Sequence, residues 1–109
     1  MNTSELAFSG LHSVEPASGN VKITGGYTSD LLSDVMAHLK EGDVLITIQA
    51  HKNTIAVAAL TGASAVILCH GRTASPDMLA VAAKENIAVF ISSGSQFATT
   101  CQLAKWLGK

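Results

Sequence analysis

Val44-Leu45-Ile46-Thr47-Ile48, Ala65-Val66-Ile67-Leu68-Cys69 and Ile87-Ala88-Val89-Phe90-Ile91 are three apolar runs, continuous rather than alternating, and they decide the fold. A strand that is apolar on both sides of its pleat is a strand covered on both faces. The runs recur at nearly even spacing, and each interval carries a helical pattern. That layout suits right-handed βαβ crossovers and a parallel sheet. The expected fold class is therefore α/β, with a mostly parallel sheet between layers of helix.

Working outward, Leu31, Leu32, Val35, Met36 and Leu39 form an apolar stripe at helical spacing. Thr28 or Ser29 is the expected cap, Asp30 suits the dipole of the first turn, and Gly42 follows the end. A second helix is predicted from about Asn53 to Thr61, apolar almost all round and well buried, with Gly62 closing it. Ser75-Pro76-Asp77 reads as a helix start, with a capping hydroxyl, proline in the first turn and an acid behind it. That helix runs to about Glu85. A last one, from about Ser95 to Leu107, presents Phe97, Cys101, Ala104 and Leu107 on one side. Before Thr28, the alternation of Val21-Lys22-Ile23-Thr24 predicts a half-exposed strand. Glu5-Leu6-Ala7-Phe8 is a candidate for another, separated by a Gly-, Ser- and Pro-rich loop over Ser9 to Gly19.

Composition bounds the function. With 109 residues, 48% hydrophobic and 14% charged, the chain has room for one domain over residues 1–109 and enough apolar residues for a core. A net charge of −1 and the absence of any Lys/Arg run argue against nucleic acid and against electrostatic membrane docking. No apolar run approaches the roughly 18 residues of a membrane span, and Met1 to Glu5 lacks the features of a signal peptide. A cytoplasmic location is expected. Cys69 and Cys101 stand far apart in apolar segments, where both are expected to act as small core hydrophobes.

In an open parallel sheet, ligands sit beyond the carboxyl ends of the strands, where helix N-termini also point. The sequence sends four polar loops to that rim: Gly25-Gly26-Tyr27-Thr28-Ser29-Asp30, Gln49-Ala50-His51-Lys52-Asn53, His70-Gly71-Arg72-Thr73 and Ser92-Ser93-Gly94-Ser95. The candidate ligand-binding residues are Gly25, Gly26, Tyr27, Thr28, Ser29, Asp30, Gln49, His51, Asn53, His70, Arg72 and Ser93. Each also has a plain structural reading. Gly25-Gly26 serves either a tight turn or a close backbone approach to a ligand. Thr28, Ser29 and Asp30 serve as a cap, His51 as part of a local network, His70 as a strand-end residue and Arg72 as solvated surface. Convergence of the loops is what favours a phosphate- or nucleotide-sized ligand.

Catalytic patterns are absent. There is no GxxxxGK[ST], GxGxxG, GxSxG, HExxH or CxxC, so no cofactor and no metal are expected. Asp30 and Asp34 are one helical turn apart, but Asp34 is expected to face solvent. A general base at His51 or His70 is the remaining enzymatic reading.

The stretch from Gly25-Gly26-Tyr27-Thr28-Ser29-Asp30 through Leu31-Leu32-Ser33-Asp34-Val35-Met36-Ala37, with Thr47-Ile48-Gln49-Ala50-His51-Lys52-Asn53 and Ala56-Val57-Ala58, resembles the small stand-alone DRTGG-domain proteins. These are similar to the N-terminal domain of HPr kinase/phosphorylase. The resemblance implies a three-layer α/β/α arrangement related to the first domain of Mur ligases. Such modules also occur in phosphotransacetylases and beside CBS domains in some pyrophosphatases, which implies a regulatory or oligomerising role. The five-residue signature survives only as a Gly-Gly pair. The kinase's phosphate loop is missing, so the resemblance implies neither kinase activity nor catalytic residues. The expectation is a non-catalytic regulatory or sensory module, a homodimer or other homo-oligomer, taking a nucleotide or phosphorylated small molecule at the rim. The alternative is a protein–protein interaction or oligomerisation domain without a small-molecule ligand, which a mean hydropathy of +0.34 favours through a buried interface.

Overall fold

In a computed structural model, which describes residues 1–6, 10–16 and 21–109, the chain is an α/β sandwich around a five-stranded mixed sheet. A short helix α1 (Thr3–Leu6) and strand β1 (His12–Glu15) precede four βα units: β2 (Gly25–Thr28) with α2 (Leu32–His38), β3 (Asp43–Thr47) with α3 (Lys52–Thr61), β4 (Ala65–Leu68) with α4 (Pro76–Glu85), and β5 (Ala88–Ile91) with α5 (Gln96–Trp106). The sheet order is β1-β5-β4-β3-β2. Strands β2 to β5 are parallel, and β1 runs antiparallel on β5 with a register shift between Ser13 and Glu15.

The continuous apolar runs feed two separate cores by pleat alternation. Leu45, Val66, Leu68 and Val89 face one side, where Val35, Leu39, Ile55, Ala58, Met78 and Ala82 of α2, α3 and α4 cover them. Val44, Ile46, Ala65, Ile67, Cys69, Ala88 and Phe90 face the other, under Leu6, Ile23 and Leu103. Each crossover joins neighbouring strands and steps in one direction, so crossovers of a single hand stack α2, α3 and α4 on one face. The chain after β5 returns as α5 across β2 and β3 on the opposite face.

Local chemistry sets the element ends. The Ser75 and Ser95 hydroxyls accept from the backbone N–H of Met78 and Ala98 at 3.1 and 3.0 Å. His51 caps α3, its Nδ1 accepting from Asn53 N–H at 3.1 Å. Gly62 and Asn86 close α3 and α4 in the left-handed conformation.

Five expectations are corrected. The strand begins at Gly25 rather than Val21; residues 21–24 are instead strapped to the N-terminus by Thr3 N–H to Val21 O and Ile23 N–H to Met1 O. Glu5 and Leu6 lie at the end of a helix, while Ala7 and Phe8 are outside the described residues. The predicted Ser9–Gly19 loop contains β1. Helix α5 buries Thr99 and Leu103, so Phe97 and Cys101 point outward and Cys101 is not a core residue. On α2 and α3, Met36 is 52% and Leu60 73% exposed, so both helices are one-sided.

Candidate functional site

The carboxyl ends of β2 to β5 meet at one rim, and Asp30 is its centre. Asp30 Oδ1 accepts from Thr47 Oγ1 at 2.9 Å, from the Ile48 N–H at 2.9 Å and from Gln96 Nε2 at 3.0 Å. Its carbonyl accepts from Gln49 Nε2 at 3.1 Å. One carboxylate therefore joins the β2–α2 loop, the end of β3 and the first turn of α5. Asp30 does not cap α2. Leu31 stands at the N-cap position with no side-chain bond, and Ser29 Oγ accepts from the Leu31 N–H at 3.2 Å. Thr28 Oγ1 lies 2.6 Å from Thr100 Oγ1, tying β2 to α5.

The next two loops are joined through their backbones. His70 adopts a left-handed φ of 59°, and its N–H donates to Gly94 O at 2.8 Å, while the Gly71 N–H donates to Ser92 O at 2.8 Å. Ser92 Oγ lies 2.9 Å from Thr99 Oγ1 and accepts from the Gly94 N–H at 3.1 Å. Ser93 lines a recess of about 300 Å³ with Ser92, Gly94, Thr99, Gln102 and Trp106. Beneath these loops, burial pushes the Cys69 thiol up and the negative charge of Asp30 adds to the rise, against a hydrogen bond with Thr99 that lowers it. The Cys69 side chain is itself fully buried, as a small core residue.

The rim thus brings together Thr28, Ser29, Asp30, Gln49, His51, Asn53, His70, Arg72 and Ser93. It does not include Gly25, Gly26 or Tyr27, which lie within β2. Neither glycine has positive φ. Gly26 is instead a packing residue: a Cβ there would stand 2.8 Å from Leu103 Cδ2, so its bareness lets α5 approach the sheet. A Cβ on Gly25 would stand 2.6 Å from Asp43 Oδ1.

Asp34 is engaged, contrary to expectation. It accepts from the Tyr27 hydroxyl at 2.6 Å and lies 3.0 Å from His38 Nδ1, with the Tyr27 and His38 rings stacked at 6.3 Å. The Tyr27 hydroxyl bond, followed by bonds from Ser29 and His38, holds its carboxyl below the ordinary value, and the same bond raises Tyr27. Asp30 and Asp34 therefore belong to different networks and form no acid/base pair. Gln96 and Lys52 are rim residues absent from the candidate set. Gln96 was signalled only by its place directly after the Ser95 cap, where a first-turn side chain faces the strand ends.

A DRTGG domain model matches residues 21–105. The chain belongs to the DRTGG domain family. No curated protein sequence matches it significantly. Among solved structures it is similar to the CBS and DRTGG domains of the regulatory region of Clostridium perfringens pyrophosphatase, solved in complex with the activator diadenosine tetraphosphate. The TM-score is 0.70 at 19% identity, over 85% of this chain and 40% of that one. The chain thus spans two-fifths of that regulatory region. The likeness is one of fold, consistent with the α/β architecture described above. Among the described residues, no helix is long and apolar enough to cross a membrane and no metal-binding cluster occurs.

Proposed function

We propose that this DRTGG domain is a non-catalytic regulatory module that binds a small phosphorylated or nucleotide ligand at the C-terminal rim of its sheet. The observation that carries the reading is the division of labour at that rim. Asp30, Thr47, Gln49, Ser92 and Thr99 are occupied with one another. The side chains of Lys52, Asn53, His70 and Arg72, around the start of α3 and the end of β4, make no hydrogen bond or ion pair with any described residue. A rigid polar floor with uncommitted cations and donors above it suits an anionic ligand. Asp77, in the first turn of α4, is the acid on that side, and it already has the helix dipole as its complement. The nucleotide activator of the pyrophosphatase regulatory region supports the same ligand class.

The reading is tested by a thermal-shift panel of adenine and guanine nucleotides, diadenosine tetraphosphate, acetyl phosphate and inorganic phosphate. A ligand at about 100 times its dissociation constant adds about 2.7 kcal/mol and a shift of several degrees. A flat panel at millimolar concentration rejects it.

One feature favours the second reading, a self-association domain. Strand β2 is a sheet edge, and Gly25-Gly26 offers a partner strand little side-chain obstruction. A cytoplasmic homodimer continuing the sheet through β2 is the form this takes. Light scattering on the purified chain tests it, and a monomer at high concentration rejects it.

A further inference from the structure

The 3.0 Å bond between Asp30 and Gln96 fixes two chain segments side by side, and the residue after each is a large exposed hydrophobe. Leu31 is 64% and Phe97 80% exposed. Neither belongs to a core, and Phe97 stands on a helix whose buried face is Thr99 and Leu103. The apolar pair is continuous with polar rim: Gln49 bonds the Asp30 carbonyl, and the Gln49 carbonyl accepts from Thr54 Oγ1 at 2.7 Å in the first turn of α3. That turn carries His51 and Lys52, with His70 and Arg72 beyond it at the end of β4. The rim therefore has a polarity. It is apolar and aromatic where β2 meets α5, and cationic across the strand ends at α3 and β4.

We infer that Phe97, backed by Leu31, is the stacking platform for the base of a nucleotide whose phosphates lie toward Lys52 and Arg72. This rests on the proposed rim site and names its ligand as a nucleotide rather than a simple phosphate. A flat π face exposed beside hydrogen-bonding amides suits a base, and the cations at the far end suit the charge a nucleotide carries there. The charged or titratable groups at that end are His51, Lys52, His70 and Arg72, and Asp77 at the start of α4. Asp30 is held by its three donors.

The decisive comparison is ATP against tripolyphosphate, which carries the charge without the base, titrated calorimetrically into the full chain. The variants are Phe97→Ala and the double variant Lys52→Ala/Arg72→Ala, all at exposed positions. The expected result is ATP binding at least about 10-fold tighter than tripolyphosphate. Phe97→Ala should lower ATP affinity by on the order of 10-fold or more while leaving tripolyphosphate unchanged. The double variant should weaken both. Equal binding of the two probes, unmoved by Phe97→Ala, overturns the platform and leaves the anionic rim standing. Absence of binding by either probe overturns both readings. A wild-type dimer that Phe97→Ala converts to a monomer assigns the patch to a second copy and overturns the platform.

Discussion

The two ends of strand β2 solve opposite problems. At its carboxyl end, Asp30 satisfies three donors, two from the end of β3 and one from α5, and leaves nearby cations uncommitted. At its amino end, a recess of about 590 Å³ is bordered by Gly25, Tyr27, His38, Lys40, Glu41 and Asp43. There charges of both signs are interleaved, and Asp43 is already bonded to the Lys40 N–H at 3.0 Å. The carboxyl end offers cations with one acid, Asp77, on their side, whereas at the amino end Lys40 and Lys109 share the recess with Glu41 and Asp43. Cavity size alone would choose the amino end, whereas the proposed site rests on the uncommitted cations of the carboxyl end.

Substitutions at each end sharpen that contrast. Asp30→Ala leaves several donors without an acceptor and detaches α5 from β3. It is expected to cost about 2–3 kcal/mol, seen as a Tm drop of more than about 8 °C. A drop under a couple of degrees would show that the rim floor is not held by Asp30. At the other end, Gly26→Val drives a side chain into the space of Leu103 and is expected to cost about 1–3 kcal/mol by overpacking. Urea denaturation measures it, and a neutral result would mean that Leu103 and α5 do not approach Gly26 closely enough to exclude a side chain.

Tyr27→Phe is a smaller and pH-dependent effect. The Tyr27–Asp34 bond holds the Asp34 carboxyl below its usual value, so its contribution is present above about pH 4 and fades as the pH falls through the native value. Tyr27 is raised, so its contribution is present below about pH 10 and fades as the pH rises through the native value. The Tm gap between wild type and Tyr27→Phe should be widest between those limits and close on both sides. A gap independent of pH would assign it to packing against His38. Smallest of all in stability is Lys52→Ala/Arg72→Ala. It should stay within about 0.5 kcal/mol of wild type, because exposed, unpaired side chains hold nothing in place. The same variant should lose the nucleotide-induced thermal shift.

The interior strands and α3 and α4 were legible because their signals are local. Val44, Val66 and Val89 sit in unbroken apolar runs, Ser75-Pro76 caps a helix, and Gly62 ends one. What escaped depends on long-range pairing. His12-Ser13-Val14-Glu15 carries little apolar signal and becomes a strand only because β5 offers it an edge. Val21 to Thr24 alternates in burial as a strand would, yet its partner is the N-terminal segment rather than the sheet. On α5 the apolar stripe through Phe97 and Cys101 was misleading. The buried face holds Thr99, whose hydroxyl is satisfied by Ser92, and a satisfied polar residue in a core is invisible to hydropathy. At the site, the convergence of loops followed from strand direction. Its extent did not, because Gly25 and Gly26 read as a tight turn or as a close approach to a ligand, whereas both are sheet positions in β2.

The strand order carries a consequence for how the protein is made. Strands β3, β4 and β5 each pair with the strand just before them, so the parallel sheet can grow from β2 in the order of synthesis through contacts close in sequence. Strand β1 is the exception. It is synthesised early, yet its partner β5 is among the last elements to leave the ribosome. Until that pairing forms, the nascent chain carries an unpaired N-terminal segment and an uncovered β5 edge. That is the interval in which this small domain is most exposed to mispairing and most in need of a chaperone.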